Sequence, residues 1–130
     1  MLPITVLVID SNPAFLRFVV QYLDEQHCET IRVAGAAFRA SDALILAAAT
    51  NPQAALIGMS GSIGSTLGLI ADLRRMLPSL DVVAMSQLGA AGYAQAALAA
   101  GADAFVDKDR LQVDLVPAII QAAGARNGLQ

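Results

Sequence analysis

Two oppositely charged residues carry the chemical interest of this chain. Asp10 ends the apolar run Ile4-Thr5-Val6-Leu7-Val8-Ile9, and Lys108, the only lysine, stands two positions past the run Ala104-Phe105-Val106. A carboxylate and an ammonium at the mouths of two buried segments can form an ion pair that settles geometry more surely than it adds stability. Around them come Ser11, the loop Gly58-Met59-Ser60, Ser86 with Gln87, and Asp107. Glycines at 58, 61, 64 and 68 invite a phosphate cradle of backbone N–H groups. The pattern fails that test, because no lysine follows Gly64 as a P-loop requires and no G-x-G-x-x-G is present. A nucleophile elbow fails as well, since Gly58-Met59-Ser60-Gly61-Ser62 ends in serine. His27, the single histidine, falls at the far end of the first predicted helix, so Ser60 has no evident base. The residues therefore point to a charged pocket without a catalytic pair, and to no enzyme.

Five short apolar runs separated by helical patterns must position these groups. The strands are expected at Ile4–Ile9, Ile31–Ala36, Ala54–Ile57, Asp81–Ser86 and Ala104–Val106. The first helix follows Ser11-Asn12-Pro13, a capping side chain with a first-turn proline, and carries Phe15, Leu16, Val19, Val20 and Leu23 at helical spacing. The second is expected to be capped by Ser41 or Asp42 and to end at Asn51-Pro52, and the third, marked by Leu69, Ile70, Leu73, Met76 and Leu77, to stop at Pro78. An Ala-rich fourth helix runs from about Ala90 to Ala100 and ends at Gly101, and Leu115, Val116, Ile119, Ile120 and Ala123 define the fifth. The expectation is one α/β domain over residues 1–130, a (βα)5 doubly wound parallel five-stranded sheet in a three-layer sandwich. In such sheets ligands sit at the carboxyl ends of the strands, near the switch in strand order.

Composition narrows the function. Apolar residues make up 56% of the 130 and charged ones 15%, which suits a close-packed globule. A net charge of −3 argues against direct nucleic-acid binding by this domain, and Arg74-Arg75 is too small a basic patch, expected to be a solvated helix face. The start "MLPITVLVIDSNP" has no basic leader and no run spans a bilayer, so a cytoplasmic location without a membrane partner is expected. Cys28 and His27 alone make no zinc site, and no metal or cofactor is expected.

Over essentially its whole length the sequence resembles the receiver domain of two-component response regulators, CheY-like in its flavodoxin-like fold and similar to the receivers of LuxR-type helix-turn-helix regulators. "VLVIDSNPAFLRFVVQYL" resembles the family's opening strand, acidic pair and helix, "DVVAMS" its fourth strand ending in a switch Thr or Ser, and "ALAAGADAFVDKD" its Ala-Gly-Ala-Asp turn, aromatic residue and lysine. The resemblance implies a pocket in which an aspartate after the third strand accepts a phosphoryl group, an acidic pair holds Mg²⁺, and a Thr or Ser and a lysine bind the phosphoryl oxygens. Carried over position by position, Asp10, Ser86 and Lys108 are kept, the second acid becomes Ser11, the phosphoacceptor becomes Gly58, and Gln87 replaces a small residue. Ser62 and Thr66 depart from the proline and glycine usual in the next loop and helix.

A vestigial pocket is expected at Asp10, Ser11, Gly58, Ser60, Ser86, Gln87 and Lys108, with Asp10 and Lys108 paired once no third carboxylate competes. Ser86 and Phe105 would be the family's switch pair, with core packing of Phe105 and strand-end capping by Ser86 as the competing reading. The leading expectation is an atypical receiver of a bacterial signalling or transcription regulator, phosphorylation-independent and acting as an interaction or dimerisation module. Its partners would be a regulatory protein, a sensor kinase, its own output domain or a second copy. The alternative is a small-ligand or anion sensor using the vacated pocket between Lys108, Ser86 and the Gly58 to Ser62 amides.

Overall fold

Each apolar run of the sequence is a strand, and because a helix follows each one the strands run parallel. A computed structural model describes residues 2–59, 63–87 and 91–127. The strands β1 (Ile4–Ile9), β2 (Ile31–Ala37), β3 (Ala54–Gly58), β4 (Asp81–Ser86) and β5 (Ala104–Asp107) form one parallel sheet in the order β2-β1-β3-β4-β5. The helices are α1 (Pro13–Gln26), α2 (Ala40–Thr50), α3 (Ile63–Met76), α4 (Ala91–Ala100) and α5 (Leu111–Asn127), with one 3-10 turn at Lys108–Arg110. This is the doubly wound (βα)5 sandwich.

Alternation along the strands divides the core into two layers. Leu7, Ile9, Ala55, Ile57, Val82 and Ala84 face α2, α3 and α4 through Ala43, Ala47, Ile70, Leu73 and Ala97. Val6, Val8, Leu56, Val83 and Met85 face α1 and α5 through Leu16, Val19, Leu23, Leu115 and Ile119. Alanine on α2 and α4 lets those helices lie close to the sheet. The sheet order places its switch point between β1 and β3, whose carboxyl ends carry Asp10 and Gly58.

Local chemistry sets the boundaries. Asn12 caps α1, its Oδ1 accepting from the N–H of Ala14 at 3.0 Å, with Pro13 in the first turn. The start of α2 departs from expectation: Arg39 is the cap and makes no side-chain cap bond, while Asp42 sits inside the first turn. Gly58 also departs, since it closes β3 opposite Met85 instead of opening the loop. Ladder pairing with a central strand outweighs the low strand preference of glycine. Met76 on α3 and Ile120 on α5, 38% and 45% exposed, lie toward solvent, as does Val113 at 62%.

Gly101 ends α4 at φ +119, with its N–H on the carbonyl of Leu98 and that of Ala102 on Ala97, a Schellman arrangement. Arg74 lies across this turn, and its guanidinium binds the Leu80 carbonyl and Asp103, the latter at 3.2 Å. Asp103 in turn accepts from the N–H of Val82 at 2.8 Å, fastening the α4–β5 turn to the start of β4. Arg74 is thus a structural clasp and not a solvated residue, whereas Arg75 is exposed and pairs with Asp72. Gly101→Ala forces an L side chain into a backbone region it rarely adopts and sets its Cβ 3.2 Å from Arg74 Cγ. The expected cost is about 1–3 kcal/mol, read from a urea unfolding curve.

Candidate functional site

Because β1 and β5 end on the same side of the sheet, the residues that follow them converge across β3 and β4. Asp10 is fully buried, and its own N–H bonds the carbonyl of Ala37 at 3.1 Å. Its Oδ1 accepts from the N–H of Asn12 at 2.8 Å, an Asx-type turn that starts the connection to α1. Its Oδ2 accepts from Lys108 Nζ at 2.8 Å, so both carboxylate oxygens are engaged. Lys108 begins the 3-10 turn, which Asp107 caps by accepting from the N–H of Asp109 at 2.9 Å. The lysine side chain is 7% exposed and its ammonium lies 4.0 Å from the centroid of the Phe15 ring. The cation is therefore balanced by a carboxylate on one side and the π face of an aromatic on another.

Gly58 is the neighbour across the β1–β3 pairing, one step beyond the Ile9–Ile57 partners. A Cβ built on it would lie 2.5 Å from Cγ of Asp10 and closer still to Oδ2. The Asp10 carboxylate thus occupies the space into which a side chain at position 58 would project. The missing side chain leaves no void on that side, because a neighbouring residue fills it.

A small cleft of about 140 Å³ opens beside Gly58, lined by Ser11, Phe38, Ser65, Thr66 and Leu69 among others. Ser11 lies on this cleft and is exposed, and Thr66 is buried. Ser86 is buried at 3% exposure and ends β4 opposite Asp107, while Gln87 is exposed. Phe105 is half-buried and packs against the core layer of α2, α3 and α4. Ser60 lies outside the described residues. Among the described residues no group of three His, Cys, Asp or Glu side chains could hold a metal ion. His27 caps the C-terminus of α1, its Nε2 2.9 Å from the hydroxyl of Tyr22, and Cys28 is exposed.

Phe15 is the site residue that helical periodicity hides. Its spacing marks it as a core position of α1, and its ring is instead the wall beneath Lys108. The readable signal is a lone lysine after β5 and an aromatic residue in the first turn of α1, two elements that the fold sets side by side.

A family model described as the response regulator receiver domain matches residues 6–120. Among solved structures, the receiver domain of the putative response regulator NarL from Mycobacterium tuberculosis is 29% identical, with 93% of this chain and 96% of that one covered and a TM-score of 0.78. A LuxR-family DNA-binding response regulator from Staphylococcus aureus is 19% identical, covering 92% and 98%, at a TM-score of 0.79. A receiver domain protein from Clostridium thermocellum is 19% identical, covering 98% and 99%, at 0.83. No curated protein sequence matches the chain.

Proposed function

Since the chain belongs to the response regulator receiver domain family, we propose that it is a receiver that works without aspartyl phosphate, as a protein-interaction module of a cytoplasmic regulatory system. The observation that carries this reading is the pair of facts at position 58: the residue is glycine, and the space its side chain would need is held by the Asp10 carboxylate. Glycine offers no oxygen to form an acyl phosphate. The lysine that would meet a phosphoryl oxygen is engaged by Asp10 at 2.8 Å. Partners of such a module are a regulatory protein, a sensor kinase or an output domain, met through its surfaces and not through phosphoryl transfer.

The Mg²⁺ ion of the receiver family does not fit this donor set. Hard cations of that kind bind through carboxylates and waters. Ser11 stands where the second acid would be, and both oxygens of Asp10 already have partners. An anion sensor in the same pocket is the less favoured reading, because an anion entering beside Gly58 would meet the Asp10 carboxylate first and find the ammonium already neutralised. Among the described residues no helix is long and apolar enough to cross a membrane.

Incubation with acetyl phosphate and Mg²⁺, followed by intact-mass measurement, is expected to leave the mass unchanged. A stoichiometric phosphate-sized gain would overturn the reading.

A further inference from the structure

Beside the described pocket, a groove of about 460 Å³ runs between α1 and the end of β2, floored by Leu16, Val20 and Ala36. Phe38 stands at its rim, 51% exposed. Its charges are ordered along the helix: Arg17 toward the N-terminal end, Asp24 and Glu25 toward the C-terminal end. Glu25 accepts from Gln21 Nε2 at 2.9 Å, and among the described residues none of the three makes an ion pair. Arg17 and Asp24 are seven positions apart, about 10 Å along the axis, so both lie on one face.

That order is self-complementary. Two copies of α1 packed antiparallel across a two-fold axis passing between Val20 and Gln21 set Arg17 of each against Asp24 and Glu25 of the other. In such an isologous contact, residue i meets j and j meets i. We propose that the occupant of this groove is a second copy of this chain, joined through α1 with Phe38 and Val20 as the apolar centre and the two charge clusters as its ends. A helix of this length is about 21 Å long, which makes the patch small for a permanent dimer and suits reversible association on the order of micromolar. The inference deepens the reading of an interaction module by naming its partner and its face.

Sedimentation velocity over a concentration series tests it. The unaltered chain is expected to dimerise, more weakly at high salt. Arg17→Glu, and separately Asp24→Arg with Glu25→Arg, should each raise the dissociation constant at least tenfold, since each sets like charges opposite one another. An equal mixture of those two variants should recover dimers. The new carboxylate at position 17 of one variant then faces the two new guanidinium groups of the other, whose unaltered Arg17 faces Asp24 and Glu25. Thermal melts keep loss of folding apart from loss of association, surface changes of this kind costing about 0.5 kcal/mol or less. A monomer at all concentrations up to about 1 mM overturns the proposal, as does a dimer indifferent to both reversals. A monomer that takes up no phosphate removes this inference alone, and a charge-sensitive dimer that is phosphorylated removes only the reading it rests on.

Discussion

Lys108→Met is expected to lower the unfolding free energy by about 3–5 kcal/mol, the cost of leaving one member of a buried ion pair without its partner. Asp10 has no exposure to water, and only one of its oxygens, the one bonded to Asn12, would keep a donor from those now seen. Methionine restores most of the volume and none of the charge. For a domain whose total stability is about 5–15 kcal/mol, such a loss is a third or more of the whole. Adding Asp10→Asn to the same chain should recover most of it, since the amide carries no charge and its oxygen can still accept from Asn12. The measurement is a urea midpoint for each variant at unchanged slope. A loss below about 1 kcal/mol for Lys108→Met would mean that the pair behaves as a solvated one in solution.

The part of the fold that is legible in the sequence is the part decided by burial. Ile4 to Ile9 and Asp81 to Ser86 are uninterrupted because both faces of β1 and β4 are covered, and such runs announce themselves. The start of α2 does not, because Arg39 caps it with backbone geometry alone. Gly58 reads as the residue that stops a strand, whereas its partner Met85 and the bond from the N–H of Met59 to the Met85 carbonyl, 2.8 Å, extend the ladder through it. Arg74 reads as half of a solvated pair. Its stem lies over Gly101, where a bare backbone gives it room, and a long cation with an apolar stem is poorly described by its charge alone.

The site is legible where topology alone decides it. Asp10 and Lys108 end strands on one side of a parallel sheet, are opposite in charge and stand in a chain poor in charges, and they meet. Which space the Asp10 carboxylate fills is not legible, because it depends on a side-chain rotamer chosen by three neighbours together: Asn12, Lys108 and the absence of a Cβ at position 58. The residue pattern points to a vacated position. The structure shows the space beside Gly58 taken by the Asp10 carboxylate, so the glycine at 58 and the Asp10–Lys108 pair form one arrangement and not two separate features.

Gly58→Ala puts that statement to the test, and is expected to cost about 1–3 kcal/mol although it adds a single methyl group. The new carbon would stand 2.5 Å from the Asp10 carboxyl carbon, and the backbone on both sides is fixed in the central ladder, so the carboxylate must turn away. Turning it away parts the oxygen that holds Lys108 from the ammonium. The cost should persist in an Asp10→Asn background, where the amide has the same bulk, and fall by at least about 1 kcal/mol in an Asp10→Ala background, where the nearest remaining atom is Cβ at 3.1 Å. Equal costs in all three backgrounds would show that the methyl is accommodated elsewhere and that Asp10 does not fill the space. The same geometry bears on an acidic substitution at this position. An aspartate introduced at position 58 brings its Cβ to the same point, so its carboxylate arrives only by displacing Asp10 from Lys108, and a lone substitution there is a competitor for the lysine before it is a phosphoacceptor.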